Sequence, residues 1–229
     1  MKKLPARINI FTMLVMGIAV VLIAFLYYYL NCNNVIMKKT GEQLLLKVHK
    51  EYEEKSYPTP NVDKDRVNEV IGVVLHHTAE PTVEKSLAIL SSPAKKVGTH
   101  VVIDTDGTRY VMADPNVPTY HAGYSILNGR EGCNYCTVGI EFQGNTLVSP
   151  LTNDQIASGI EYLLPIIDKY KISLDNIVTH EMVRNAYKEK YPHKRCSGKV
   201  DITKEEYLRF MRELINSKEK TKENNRKDR

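Results

Sequence analysis

Residues Ile71–His77 read IGVVLHH, a run of apolar and mostly β-branched residues that ends on two histidines. A short run of this kind is typical of a strand that is buried on both faces. A second short apolar strand, Asn176–Thr179, also leads directly into a histidine, His180. Because open α/β sheets place their ligands at the carboxyl ends of their strands, His76 and His180 are candidates for a shared site.

Strand and helix patterns alternate on both sides of these two segments. Further strands are predicted at 100–104, 108–113 and 137–143, and helices at 83–91, 152–170 and 203–216. The Asp106-Gly107 turn joins the first two of these strands as a hairpin. Thr152 followed by Gln155 predicts a capping box at the start of the second helix. The alternation predicts an α/β domain over residues 67–216, with a mixed central β-sheet flanked by helices.

The N-terminal region predicts a membrane helix. Residues 8–30 contain no charged side chain, and a helix of that length spans roughly 34 Å, enough to cross a hydrocarbon core of about 30 Å. Basic residues within 1–7 favour a cytoplasmic N terminus and an extracytoplasmic remainder. We therefore expect an uncleaved, single-pass signal anchor in a bacterial cytoplasmic membrane. Cleavage of this segment and lipidation of Cys32 are the alternatives.

Composition and charge indicate the character of the remaining regions. With 42% hydrophobic residues the chain has enough apolar material for a core. Residues 31–66 are mostly polar and predict a stalk or linker, and residues 217–229 predict a disordered, charged tail. The net charge of +5 resides in the two ends, whereas a nucleic-acid-binding protein concentrates positive charge on its folded surface. We therefore expect no nucleic-acid partner.

Three residues form a chemically sensible zinc set. Cys196 lies in a polar loop, and together with His76 and His180 it would supply two imidazoles and one thiolate. Zinc sites of this kind leave a fourth position for water, and the remaining net charge of about +1 is enough to acidify that water. The three residues are far apart in the sequence, so their spacing by itself leaves ordinary structural roles equally open.

Five stretches in a fixed order carry a family resemblance: VVLHHTAEPT (73–82), GTHVVIDTDGTRYVMAD (98–114), YHAGYSILNGREGCNYCTVGIEFQGN (120–145), VTHEMV (178–183) and KRCSG (194–198). The series resembles the zinc-dependent N-acetylmuramoyl-L-alanine amidases of the amidase-2/peptidoglycan-recognition-protein superfamily, and most of all their AmpD-type branch. The resemblance covers about residues 70–215. It implies that fold, one zinc ion, and hydrolysis of the amide bond between the lactyl group of N-acetylmuramic acid and L-alanine.

The resemblance also implies roles for individual residues. It makes His76, His180 and Cys196 the zinc ligands, Glu141 the general base, and Lys194 the cation that stabilises the reacting oxygen. The third ligand position is Cys in some branches of the superfamily and Asp in the AmpD type. Four further residues are candidates for contact with the substrate: His77, Thr78, His121 and Arg130. For His121, a structural hydrogen bond in a turn is an equally good interpretation.

The expected function is cell-wall degradation, turnover or recycling, with peptidoglycan or muropeptides as substrate. We expect a monomer that is held at the membrane through its N-terminal helix. Two other functions stay open: a peptidoglycan-binding module without activity, which typically lacks the third ligand, and a phage lysis enzyme with a signal anchor. Cys133 and Cys136 are expected to form a disulfide or to remain inert thiols.

Overall fold

The computed structural model describes residues 51–196 and 201–227. The strands are β1 Glu54–Ser56, β2 Gly72–His77, β3 Val101–Ile103, β4 Arg109–Val111, β5 Ile126–Leu127, β6 Arg130–Glu131, β7 Thr137–Phe142 and β8 Ile177–Thr179. The helices are α1 Val83–Leu90, α2 Asn153–Tyr170, α3 His180–Lys190 and α4 Lys204–Lys227. Two 3₁₀ turns, Cys133–Tyr135 and Leu174–Asn176, precede β7 and β8.

Six of these strands form one mixed sheet in the order β1-β4-β3-β7-β2-β8. The hairpin strands β3 and β4 pair antiparallel, whereas β2 pairs parallel with both β7 and β8. The short strands β5 and β6 form a separate two-stranded sheet. The predicted α/β class with a mixed central sheet is therefore confirmed for the described residues.

Alternation along β2 assigns its side chains to the two faces of the sheet. Val73 and Leu75 pack in the main core with α2 and α4, which contribute buried residues such as Leu163 and Phe210. Val74 points the other way, into a smaller cluster that includes Val183 of α3. His76 follows the period of Val74, so its side chain lies on the face opposite the main core.

The predicted capping box is present at the start of α2. The backbone N–H of Gln155 donates to Thr152 Oγ1 at 3.0 Å, and the backbone N–H of Thr152 donates to Gln155 Oε1 at 3.0 Å. The side-chain amide of Gln155 also donates to the carbonyl of Gln143, just after β7, at 2.8 Å. Local capping chemistry thus fixes where α2 begins and ties it to the centre of the sheet.

The folded region extends further at both ends than predicted. β1 lies inside the segment expected to be a linker, and it pairs parallel with β4 through Glu54 and Arg109. Edge pairing uses backbone groups, so a strand of exposed polar residues gives no apolar signal. At the other end α4 continues to Lys227, past the expected limit at 216. Lys and Glu recur in this extension, and both have good helix propensity.

No helix within residues 51–196 and 201–227 has the length and apolar character needed to cross a membrane. The predicted anchor at 8–30 and Cys32 lie outside the described residues, so both expectations stay predictions.

Candidate active site

His76 and His180 lie at the same edge of the sheet, at the ends of the neighbouring strands β2 and β8. Leu75 of β2 and Thr179 of β8 are paired in register, and a histidine follows each of them. Thr179 also caps α3, because its hydroxyl accepts the backbone N–H of Met182 at 3.3 Å. The ring centroids of His76 and His180 lie 5.1 Å apart. The structure thus brings together the pair that the strand pattern singled out.

A buried carboxylate completes the group. Asp201 Oδ2 lies 2.5 Å from His180 Nδ1 and 3.6 Å from His76 Nδ1. Within the described part of the chain, one donor atom from each of these residues lies within 4.8 Å of the other two. The next two residues hold Asp201 in place: Ile202 is buried in the main core, and the Thr203 N–H donates to Thr146 Oγ1 at 3.0 Å.

The structure differs from the prediction at the third ligand. Cys196 is partly exposed and lines the same cleft, but it does not belong to the group of mutually close donor atoms. Asp201 takes that place. A sequence signal for it existed, since Lys199 precedes Asp201 by the same two positions by which Lys194 precedes Cys196.

The hydrogen-bonding requirements of these rings test whether they fit a metal ion. His180 Nε2 lies 3.2 Å from the Ala122 carbonyl while Nδ1 faces Asp201 Oδ2, so oxygens face both ring nitrogens. A neutral imidazole has one N–H and can satisfy one of them. With that N–H on Nε2, Nδ1 presents a lone pair on the side of Asp201 Oδ2, which is the donor arrangement that a metal ion requires. Two imidazoles and a carboxylate form a known zinc donor set, with an outer hydrogen bond to the second ring nitrogen. The residues present therefore fit a zinc ion.

Glu141 lies beside this group because of strand register. It is paired with His76 across β7 and β2, and neighbouring residues of parallel strands point to the same face. Its side chain lines the cleft and is 6% exposed. Its Oε2 atom is buried and has no hydrogen-bond partner among the described residues. A carboxylate in this position is able to accept a proton from a water molecule bound in the cleft.

The cleft is a cavity of about 1140 Å³. Glu141, His180 and His121 lie in its lining, together with residues around α1 and around 60–62 and 96–98. Among the described lining residues, Lys96 and Arg184 are the basic ones. The volume is large enough for a ligand of several linked groups.

Of the four candidate substrate contacts, Thr78 and His121 line the cleft, and His77 and Arg130 do not. His77 is buried and accepts the Thr146 N–H at Nδ1 over 3.2 Å. Arg130 forms a surface ion pair with Glu69 at 2.7 Å. Strand alternation explains the difference between the two neighbouring histidines, because His77 and His76 point to opposite faces.

Lys194 lies over a pair of tyrosine rings. Its Nζ is 4.5 Å from the ring centroid of Tyr191 and 5.7 Å from that of Tyr187. A hydrogen bond with Tyr187 raises the pKa of Lys194, so it stays charged. It is absent from the cleft lining within the described residues. Its expected role as the stabilising cation stays a prediction.

Two further buried histidines are electrically neutral at physiological pH: His121 contacts His76, and His100 contacts His121. Burial lowers the pKa of His100 to about 4. Desolvation, followed by the proximity of His76 and His100, holds the pKa of His121 well below its ordinary value. His100 and His121 thus add little positive charge near the group, which suits a site that attracts a cation.

Cys133 and Cys136 are buried free thiols in the structure. They interact through a hydrogen bond that raises the pKa of Cys133, with burial adding to the effect, and lowers the pKa of Cys136. The pair lies in the smaller cluster beside Val74 and Ala122. Of the two expected states, the structure therefore shows the thiols.

Comparison with known proteins gives the family. Residues 66–199 match Amidase_2, described as N-acetylmuramoyl-L-alanine amidase. The chain belongs to this family. Amidase_2 proteins are zinc-dependent in general. The predicted membership of the amidase-2 superfamily, AmpD type, is thus confirmed.

Two curated relatives carry the name 1,6-anhydro-N-acetylmuramyl-L-alanine amidase AmpD. The protein from Haemophilus influenzae is 39% identical over 86 residues, which cover 37% of this chain and 46% of the relative. The protein from Enterobacter cloacae is 30% identical over 103 residues, which cover 45% of this chain and 54% of the relative. The matched segments thus span about half the length of these relatives.

Solved structures agree with the fold. A crystal structure of an AmpD derivative superposes with a TM-score of 0.54 at 20% identity, covering 71% of this chain and 94% of that chain. A mutant structure of PlyL gives a TM-score of 0.51 at 10% identity, covering 71% and 98%. At these identities the likeness supports the fold of the Amidase_2 domain.

Proposed function

We propose that this protein is a zinc-dependent amidase that hydrolyses the bond between the lactyl group of N-acetylmuramic acid and L-alanine in peptidoglycan or muropeptides. The observation that carries the proposal is the close grouping of His76, His180 and Asp201. Glu141 is paired with His76 across the sheet, and its side chain lines the same cleft as His180. The names of the AmpD relatives support an anhydromuramyl fragment as one substrate class. A complete donor set favours an enzyme over a binding module.

Each residue of the group has a chemical task in this reaction. His76, His180 and Asp201 would hold the zinc ion. Bound there, zinc supplies Lewis acidity and lowers the pKa of water. Glu141 takes a proton from the attacking water and returns it to the departing amine, which is otherwise a poor leaving group. Its buried and unpartnered Oε2 atom is suited to hold that proton between the two steps.

The cation that stabilises the tetrahedral oxygen has two candidates. Lys194 precedes Cys196 by two residues, and Lys199 precedes Asp201 by the same offset. We keep Lys194 as the residue assigned by resemblance, and the third-ligand position in the structure adds Lys199. Residues 197–200 lie outside the described residues, so the choice between these lysines belongs to experiment.

The proposed location is extracytoplasmic, with residues 8–30 as a membrane anchor. The support is the uncharged apolar segment and the substrate itself, because peptidoglycan lies outside the cytoplasmic membrane. Protease protection in membrane vesicles tests this point: the domain should be cleaved in right-side-out vesicles and protected in inverted ones.

The reaction is tested by mass spectrometry of muropeptides incubated with the purified full-length chain. We expect free stem peptide and a peptide-free muramoyl product. Chelation should abolish their release and added zinc should restore it. Comparing anhydro with ordinary muramoyl substrates gives the preference between them. Peptide release that persists both after chelation and in Glu141→Gln would overturn the proposal.

A further inference from the structure

His121 contacts the proposed metal-binding group without belonging to it. Its Nδ1 atom lies 3.1 Å from His76 Nε2, and its Nε2 atom lies 3.3 Å from Thr137 Oγ1. The Thr137 hydroxyl donates in turn to the Cys133 carbonyl at 2.6 Å. These contacts form a continuous chain from His76 to the backbone of the 3₁₀ turn before β7.

The direction of the hydrogen bonds in this chain is set by its last member. Thr137 has one hydroxyl hydrogen, which is donated to Cys133, so its oxygen accepts the Nε2–H of His121. His121 Nδ1 is then left with a lone pair and accepts the Nε2–H of His76. As a result, His76 Nδ1 carries the lone pair that faces Asp201 Oδ2 at 3.6 Å. A metal ion between those two atoms needs that lone pair.

The fold leaves little freedom for the His121 ring. A Cβ atom at Gly139 would lie 2.6 Å from His121 Cγ, so only glycine at 139 leaves room for the ring. The backbone N–H of the same glycine donates to His100 Nδ1 at 2.9 Å. The rings of His76 and His121 meet edge to face, at 89°. The close approach of β7 thus determines where the ring lies.

The next residue along the chain supports the other imidazole. The Ala122 carbonyl faces His180 Nε2 at 3.2 Å, and the Ala122 N–H donates to the Asn134 side chain at 2.7 Å. One dipeptide, His121–Ala122, therefore holds the outer nitrogens of both His76 and His180. The Asn134 side chain anchors that dipeptide to the 3₁₀ turn. The Thr137 hydroxyl donates its hydrogen bond to the same turn, at the Cys133 carbonyl.

We propose that His121 is a positioning residue that sets the tautomer and orientation of His76 for metal binding, with Thr137 setting the tautomer of His121. This inference rests on the proposed zinc site. It changes the expectation that His121 binds substrate: a substrate contact would affect KM, whereas a positioning residue affects the metal itself. Outer partners of metal-binding histidines typically change metal affinity or activity by about 10- to 100-fold.

The test measures zinc affinity of the full-length protein by competition with a chromophoric chelator, and the visible spectrum after cobalt substitution. His121→Ala should weaken zinc binding by about 10- to 100-fold and alter the cobalt spectrum. His121→Asn, whose side-chain oxygen can accept in place of Nδ1, should stay closer to the wild-type protein. Thr137→Val should weaken zinc binding. Thr137→Ser keeps the hydroxyl and should bind zinc as the wild-type protein does.

Failure of this inference is separable from failure of the proposed function. If His121→Ala and Thr137→Val leave zinc affinity and the cobalt spectrum unchanged, the positioning role is wrong, even if KM rises. If the wild-type protein binds one zinc ion with the expected His121 dependence but releases no peptide, the amidase proposal fails and the positioning role stands. A wild-type chain that binds no zinc overturns both. Thermal unfolding of each variant separates loss of the site from loss of the fold.

Discussion

The two imidazoles and the carboxylate of the candidate zinc site reach it by different routes. His76 and His180 directly follow paired positions of adjacent parallel strands, so the register of the sheet sets their separation. Asp201 belongs to the segment that connects α3 and α4, and its position depends on contacts made after it by Ile202 and Thr203. Sheet register determines a site more tightly than a connecting segment does. Ligands that directly follow paired strand positions are therefore easier to predict from the sequence than ligands on a connecting segment.

The largest expected effect comes from the ligand on the connecting segment. Asp201→Asn should lower zinc affinity and reduce peptide release by roughly 10³-fold or more, because the anionic donor is lost. Cys196→Ser is the matched control, since it changes the other candidate ligand in the same segment and should retain zinc. Zinc content and muropeptide turnover measure both variants. Loss of zinc in Cys196→Ser but not in Asp201→Asn would instead identify Cys196 as the third ligand.

Glu141→Gln tests the role of Glu141, on strand β7, as the general base. The variant should keep its zinc, because Glu141 is outside the donor group, and lose about 10²- to 10⁴-fold in kcat, because the amide cannot accept the proton. Metal analysis together with steady-state kinetics separates the two effects. An unchanged kcat contradicts the assignment of Glu141 as the base.

The two lysines of the connecting segment sharpen the comparison. Changing the lysine that stabilises the tetrahedral oxygen to Met should lower kcat by about 10²- to 10³-fold, while the other variant stays near wild type. Lys194→Met and Lys199→Met, assayed side by side, give the answer. If the larger loss falls on Lys199, the functional positions in this segment all lie five residues later than the resemblance implied.

A smaller effect concerns the contribution of the buried His100 to stability. The pKa of His100 is about 4 in the folded protein because of burial, against about 6.5 in the unfolded chain. Between these values the unfolded chain binds a proton that the folded chain does not, so stability should fall as pH decreases from about 6.5 to 4. The contribution is about 3 kcal/mol. Urea unfolding of His100→Gln should show a shallower dependence, and an identical slope contradicts it.

These contrasts explain what could be predicted from the sequence. Two strands and one hairpin are predictable from the sequence: the apolar runs indicate β2 and β8, and the turn at Asp106-Gly107 indicates the hairpin. Each signal is local to the element that it specifies. The two histidines at the strand ends followed from the same reasoning. Glu141 needed the family resemblance, and its register with His76 then accounts for its place.

Other features depend on long-range contacts that have no local signature. β1 is held by backbone pairing at a sheet edge, so its polar side chains suggested a linker. Asp201 is fully buried, although aspartate in a polar segment normally indicates an exposed loop. The contact of His121 with His76 joins residues 45 positions apart. Spacing along the chain could not show it.

The proposed zinc ligands are two imidazoles and a carboxylate, those of His76, His180 and Asp201. X-ray absorption spectroscopy of the zinc-loaded, full-length protein tests this assignment most directly, because zinc–sulfur and zinc–nitrogen or zinc–oxygen distances differ. We expect nitrogen and oxygen atoms alone to bind the zinc, at about 2.0–2.2 Å. A sulfur scatterer at about 2.3 Å, lost in Cys196→Ser, would contradict it.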